Sequence, residues 1–375
     1  MNTSKIIFLL YYKFLKEVRG KQMSSSPSPP SSPLLNQQTL DTGGSRKVSA
    51  VSNKSKLKVV VLDVDETLGF FLEFGIFCDA LSMYLGSANK PYEFFYELME
   101  LYPEILRPHI VKILEYVYMK KTIGECHKVM IYTNNNGPKS WVIHIKTYLE
   151  MKIAEVIHSD SSHKIDIEPV KLFDQIIAAF MINGKVVEPL RTTHEKTMDD
   201  FLRCSKLPNN IEVCFIEDTM HEKMLKDNVY YIKLKPYHYS LPNDVFVTRF
   251  IESPIFENIP HHRMLSVIVN ETKEETFLNF ITNQMKLIAS KYRYIHHKKN
   301  PEEYELDIIT SKRILAHLTT FFKEVNEGDY HGELIDMGNK SLASSNHKSS
   351  GKKRSPSHAH SSSSSSSSQR NSGNK

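Results

Sequence analysis

Two aspartates one residue apart stand directly after an unbroken apolar run, Val59-Val60-Val61-Leu62-Asp63-Val64-Asp65-Glu66-Thr67. Four consecutive apolar residues, three of them β-branched, read as a buried strand. Carboxylates at its carboxyl end stand where open α/β sheets bind their ligands. Acids at alternate positions can share a divalent metal while one attacks phosphorus and the other moves protons. A calcium loop of EF-hand type is excluded. It needs glycine at its sixth position and glutamate at its twelfth, and this chain has Leu68 and Phe74 there. A metal-held nucleotide sugar on Asp-x-Asp, and two merely solvated acids at a strand end, stay open on these residues alone.

Three later stretches narrow the choice. Val129-Met130-Ile131-Tyr132-Thr133-Asn134 is a second buried run, ending in a hydroxyl and an amide, and such donors beside free backbone N–H groups suit phosphate oxygens. In Arg191-Thr192-Thr193-His194-Glu195-Lys196, Thr192 and Glu195 have the spacing of a capping box, so a helix is expected to start here with Lys196 in its first turn. A cation in that turn opposes the helix dipole, which marks Lys196 for another task, such as pairing with phosphate and Asp63. Val213-Cys214-Phe215-Ile216-Glu217-Asp218 is a third buried run ending in two acids. Neighbouring side chains alternate across a strand, so these two have different jobs: one reaches a metal, the other supports from behind.

The elements that must carry these residues follow from the pattern. Apolar runs at 57–62, 129–133, 213–216 and 229–234, with helical spacing between them, predict a parallel α/β sheet. Helices are expected over 93–101 and 110–119. A hairpin is expected over 176–188, turning at Asn183-Gly184. Beyond Pro242 the pattern is helical, over 274–292 and 304–325. Domain organisation is therefore read as a short apolar segment and linker over 1–56, an α/β domain over 57–241, a helical addition over 242–326 and a Ser/Lys-rich disordered tail over 327–375 with eight serines from Ser361 to Ser368. The apolar stretch 5–13 is too short to span a bilayer. No stable nucleic-acid or membrane binding is expected, because the net charge of +5 is modest and the basic residues gather near the two ends. Cys78, Cys126, Cys204 and Cys214 form no C-x-x-C pair, so neither a zinc site nor a redox pair is expected, and a reducing intracellular compartment, cytoplasmic or nuclear, fits them.

With these four elements in this order, the chain resembles the haloacid dehalogenase superfamily, through Asp63-Val64-Asp65-Glu66-Thr67, Thr133, Lys196 and Glu217-Asp218. Within it, the chain looks most like the Fcp/Scp protein phosphatases. Asp-x-Asp-Glu-Thr-Leu at 63–68, Arg107-Pro108, Leu172-Phe173-Asp174, the Asn183-Gly184 turn and Lys235-Pro236 carry that likeness over about residues 57–241. Arg191–Lys196, Phe215–Met224 and Tyr230–Tyr239 also resemble relatives encoded by large DNA viruses of protists.

The resemblance implies a Rossmann-like parallel sheet with a moderate insertion after the first strand. It implies a Mg²⁺-dependent phosphomonoester hydrolase acting on phosphoproteins, such as RNA polymerase II C-terminal repeats. Asp63 would be the nucleophile and Asp65 the general acid and base. Mg²⁺ would be held by Asp63, the Asp65 carbonyl and Asp218. Thr133, Asn134 and Lys196, with Arg191 as the less favoured cation, would bind the phosphoryl group, and Glu217 and Thr67 would support from behind. The chain departs from the family pattern at Glu188-Pro189-Leu190, where lysine is usual, and at Glu217, where aspartate is usual. Two rivals accompany this reading: a small-molecule or polynucleotide-end phosphatase with the same chemistry, and a weakly active phosphopeptide-binding scaffold.

Overall fold

The computed structural model describes residues 56–159, 167–259, 272–296, 298–323 and 334–337. The N-terminal apolar segment, the linker and the serine run lie outside the described residues. The first strand, β1 (Leu57–Leu62), sits at the centre of a six-stranded sheet. Val60 and Leu62 enter one core; Val59 and Val61 enter the other. Both faces are covered, which is why the apolar run is continuous and not alternating.

The other sheet strands are β2 (Lys128–Tyr132), β3 (Gln175–Ile177), β6 (Ile211–Glu217), β7 (Val229–Lys233) and β8 (Leu334–Asp336). All neighbours pair in parallel, in the order β3-β2-β1-β6-β7-β8. The chain builds outward from β1 through β2 to β3, then returns to the far side of β1 and builds outward again from β6. The reversal lies between β1 and β6, the switch point at which open parallel sheets form a crevice.

Between β1 and β2 run α1 (Leu72–Leu85), α2 (Phe95–Glu100) and α3 (Ile110–Thr122), which make the insertion after β1 largely helical. Helix α1 stops at Gly86, whose left-handed φ of 68° lets its N–H bond the Ser82 carbonyl. Helix α4 (Lys139–His158) joins β2 to β3, and α5 (Met198–Ser205) covers the second core with Met198, Phe201 and Cys204. The helical addition holds α6 (Asn243–Ile251), α7 (Pro254–Asn258), α8 (Lys273–Lys291) and α9 (Pro301–Phe322). Capping boxes Thr272/Glu275 and Asn300/Glu303 start the last two, the second with Pro301 in its first turn.

Several expected boundaries change. Ile176 and Ile177 belong to β3, and the hairpin shrinks to β4 (Met181–Ile182) and β5 (Lys185–Val186). The Thr133 N–H donates to the Ile177 carbonyl, so the sheet takes those residues before the hairpin can. The span read as a tail contributes β8, which extends the sheet beyond β7, with Met337 N–H donating to the Lys233 carbonyl at 2.8 Å. A strand of three residues is too short to leave a periodic signal.

Nor is the addition a separate body. Tyr84 of α1 meets Phe277 of α8 edge to face at 4.7 Å. The buried Glu73 carboxylate accepts from the Leu241 N–H at 2.9 Å and from the Tyr294 hydroxyl at 2.7 Å. Lys58 of β1 reaches the Phe321 and Lys323 carbonyls at the end of α9, at 2.8 and 3.0 Å. Among the described residues no helix is long and apolar enough to cross a membrane, and all four cysteines are buried and unpaired.

Candidate active site

Strand register brings the acids together. Leu62 pairs with Ile216, so Asp63 and Glu217, one step further on, lie side by side, and the Asp63 N–H donates to the Ile216 carbonyl at 3.1 Å. By alternation Asp63 continues the row of Val59 and Val61, and Glu217 the row of Val213 and Phe215, so both face the second core. Lys196 enters from that side. Its Nζ lies 2.6 Å from Asp63 Oδ1 and 2.5 Å from Glu217 Oε2. The side chain is 1% exposed, and its ammonium sits over the Tyr132 and Phe215 rings at 5.7 and 5.9 Å.

Lys196 does not stand in the first turn of a helix. Helix α5 begins at Met198 and is capped by Thr197, whose hydroxyl accepts from the Asp200 N–H. The expected cap is pre-empted, because Thr192 gives both its N–H and its hydroxyl to the buried Asp200 carboxylate, each at 3.0 Å. Glu195 pairs with Lys223 at 2.8 Å. Residues 191–196 thus form a loop stapled to α5, with Lys196 as its inward-pointing end.

Asp63, Glu217 and Asp218 each offer a carboxylate oxygen within 4.8 Å of the others, an arrangement that can hold a metal ion. An all-oxygen donor set suits a hard divalent cation. Glu217, read from sequence as a support, stands in this cluster itself. The Asp65 carboxylate does not; it accepts from the Asn135 amide at 2.8 Å. Thr67 serves Asp218 and not Asp65, donating to Oδ1 at 3.1 Å.

Electrostatics follow from three adjacent acids and one cation. Burial alone would lower the Lys196 pKa, but Asp63 and Glu217 outweigh it and the pKa is raised. Burial first, then Asp63, raises the pKa of Glu217, because one ammonium serves two carboxylates. Asp65 is pushed up to about 6, by burial and then by Asp63, with the Asn135 amide opposing. Glu66 is pushed up to about 8 by burial and the surrounding acids. His221 is driven down to about 4 by burial and then by Lys196.

Two buried arginines hold the loops that carry these groups. Arg107 donates to the carbonyls of Glu66 at 2.5 Å, Thr67 at 2.7 Å and Lys235 at 3.0 Å. That holds Glu66 at a φ of 54°, a left-handed conformation rare for glutamate. Arg191 donates to the Thr133 and Ala178 carbonyls at 3.1 and 2.8 Å and to Asn134 Oδ1 at 2.8 Å, with its guanidinium 4.8 Å from the Tyr132 ring centre. Arg191 is buried, its terminal nitrogens are held by carbonyls of three loops and by Asn134, and it is not among the residues lining the cleft.

The cleft measures about 610 Å³ and is lined by Asp63, Asp65, Thr133, Asn134, Lys196 and Asp218, among others. Thr133 Oγ1 accepts from the Asn135 N–H at 3.0 Å. Asn134 lines the cleft, but its side-chain amide oxygen is held by Arg191. Asn135, which touches Asp65, and Arg107, which shapes the loop after β1, were not given these roles from sequence. A run of three asparagines does not distinguish its members, and the pair Arg107-Pro108 was legible only as part of the family likeness.

No protein-family model, no curated protein and no solved structure matches this chain.

Proposed function

We propose that this chain is a Mg²⁺-dependent phosphomonoester hydrolase that forms an aspartyl-phosphate on Asp63, acting on phosphoserine or phosphothreonine in proteins in the manner of the Fcp/Scp phosphatases. The observation that carries this reading is Lys196, buried and bonded to Asp63 at the sheet's switch point, with Asp65 two residues further on. A carboxylate nucleophile has to approach an anionic phosphoryl group, and an ammonium fixed beside it offsets that repulsion.

Asp63 attacks phosphorus and the leaving oxygen departs on the opposite side. Asp65, pushed up to about 6, is partly protonated near neutrality and hands a proton to that oxygen. As a carboxylate it then takes a proton from the water that cleaves the acyl phosphate. The Asn135 amide fixes the plane of the Asp65 carboxylate during both transfers. Thr133 and the adjoining loop face the transferred oxygens, and Lys196 offsets their charge. The oxygens of Asp63, Glu217 and Asp218 would hold Mg²⁺, which when bound supplies charge neutralisation for phosphoryl transfer.

The test is purified protein with Mg²⁺ against phosphopeptides that include polymerase-type serine repeats, mononucleotides and DNA ends. Turnover of the phosphopeptides is expected, with Asp63→Asn inactive and still folded. Near-wild-type turnover by Asp63→Asn removes the mechanism. A preference for nucleotides or DNA ends retains the chemistry and rejects the protein substrate. A failure to trap a beryllofluoride adduct at Asp63, together with no turnover, favours the scaffold.

A further inference from the structure

The cleft extends well past the reacting acids, and one of its walls is a single face of α1. Leu72, Gly75, Ile76 and Asp79 stand at i, i+3, i+4 and i+7, and all four line it. Packing accounts for Ile76, which is buried in the main core, but not for the other three. Gly75 lies mid-helix, where glycine weakens the helix, yet an added methyl group would meet nothing nearer than Trp141 at 3.7 Å. Leu72 is 37% exposed. Asp79 is exposed and makes no hydrogen bond or ion pair among the described residues. Tyr92 and, from the end of α8, the 60% exposed Tyr292 complete the wall. The result is a groove with apolar sides, a bare strip of helix backbone and one unpaired carboxylate.

Charge decides what fits there. Among the described residues, Asp63, Asp65, Glu66, Asp79, Glu217 and Asp218 line the cleft, against one ammonium, that of Lys196, which Asp63 and Glu217 already hold. Asp79 belongs neither to the Lys196 pairs nor to the carboxylate cluster that can hold a cation, so its charge is left uncompensated at this wall. A nucleotide or a polynucleotide end brings further negative charge beyond its reacting phosphate and is repelled at this wall. A polypeptide with a cationic side chain is attracted.

We propose that this face of α1, closed by Tyr92 and Tyr292, seats the polypeptide beside a phosphorylated residue, placing an apolar side chain on Leu72 over the strip at Gly75 and a basic one against Asp79. The inference rests on the phosphatase reading and deepens it by naming the chemistry of the residues that flank the phosphorylated one. It also gives the helical addition a part in the site, through Tyr292.

A second cavity, of about 780 Å³, opens at the amino ends of β1 and β2 and is lined by Lys56, Lys58 and Lys120. Lys58 there is spent on carbonyls and Lys120 on Glu125, so it carries no comparable inference.

The experiment is kcat/KM with Mg²⁺ for one phosphoserine peptide flanked by lysine, the same peptide flanked by glutamate, a mononucleotide, a DNA end and a small aryl phosphate. The lysine-flanked peptide is expected to exceed the glutamate-flanked one by about tenfold, the size of one partly screened charge pair. Asp79→Lys is expected to bring that ratio to one or reverse it, and Gly75→Leu to raise KM for the peptides, with circular dichroism confirming both variants folded. Equal rates for the two peptides, a ratio unmoved by Asp79→Lys, or a preference for the DNA end overturns the proposal while the phosphatase reading stands. Silence on every substrate, the aryl phosphate included, overturns both.

Discussion

Removing the Lys196 ammonium is expected to destabilise the fold in a way that grows with pH. Lys196→Met keeps the stem that packs near Tyr132 and Phe215 and deletes the charge held at 2.6 and 2.5 Å by Asp63 and Glu217. Leaving one side of a buried ion pair uncompensated costs about 3–5 kcal/mol. The stranded carboxylates can escape part of that cost by binding a proton. Burial already raises Glu217 with the lysine present, and without it the folded-state pKa rises further above the unfolded value. A carboxyl raised in the folded state contributes stability below its unfolded pKa and loses it as pH climbs through the folded one. Each unit of that window is worth about 1.4 kcal/mol per proton.

Expected losses relative to wild type are therefore about 1–2 kcal/mol at pH 5 and about 3–5 kcal/mol at pH 8. Urea unfolding at the two pH values, with chelator present so that no metal compensates, measures them. Arg191→Met is the control. Its partners are neutral carbonyls and an amide, so its cost is expected to be flat with pH. A Lys196→Met loss that is equal at both pH values, or below about 1 kcal/mol at pH 8, refutes the reasoning that this lysine compensates two buried acids.

The His221 imidazole is expected to titrate near 4, below its ordinary range, because burial and then Lys196 disfavour its charge. Its neutral form therefore supports the fold above the ordinary histidine pKa, and this support is lost as pH falls through the folded value; an NMR midpoint above 6 contradicts this. Mg²⁺ at a hundredfold excess over Kd should add about 2.7 kcal/mol to the unfolding free energy. Asp218→Asn should remove most of that gain in thermal melts, and an undiminished gain places the ion elsewhere. Glu73→Gln weakens its bonds to Leu241 and Tyr294, at about 2 kcal/mol. Hydrogen exchange should quicken around 292–296 and not in β1, and no local change there argues against Glu73 as the tie between α1 and the addition.

The strands were readable because each buries both faces and so writes an uninterrupted apolar run ending in polar residues. Asp63, Thr133 and Glu217-Asp218 were placed correctly at strand ends on that ground alone. Lys196 was singled out for a reason that does not hold, a helix start that lies two residues later. Asp200, 8 residues along the chain from Thr192, takes the groups that the capping box would have used, and local spacing cannot show such competition. Arg191 and Lys196 look interchangeable in sequence. Burial among carbonyls distinguishes one and burial among carboxylates the other. Glu73, Tyr292 and β8 act through contacts with remote parts of the chain, so no local pattern announces them.

Strand β8 has a consequence for how the molecule is made. The chain leaves the sheet after Lys233 and pairs with β7 again only at Leu334, about a hundred residues later, the kind of non-local closure that slows folding. During synthesis, β7 forms with its outer edge unpaired until the four helices of the addition have emerged and docked. An open edge of parallel strand is an invitation to other nascent chains. Truncation before residue 334 should thus reduce soluble yield more than it reduces the specific activity of the molecules that do fold.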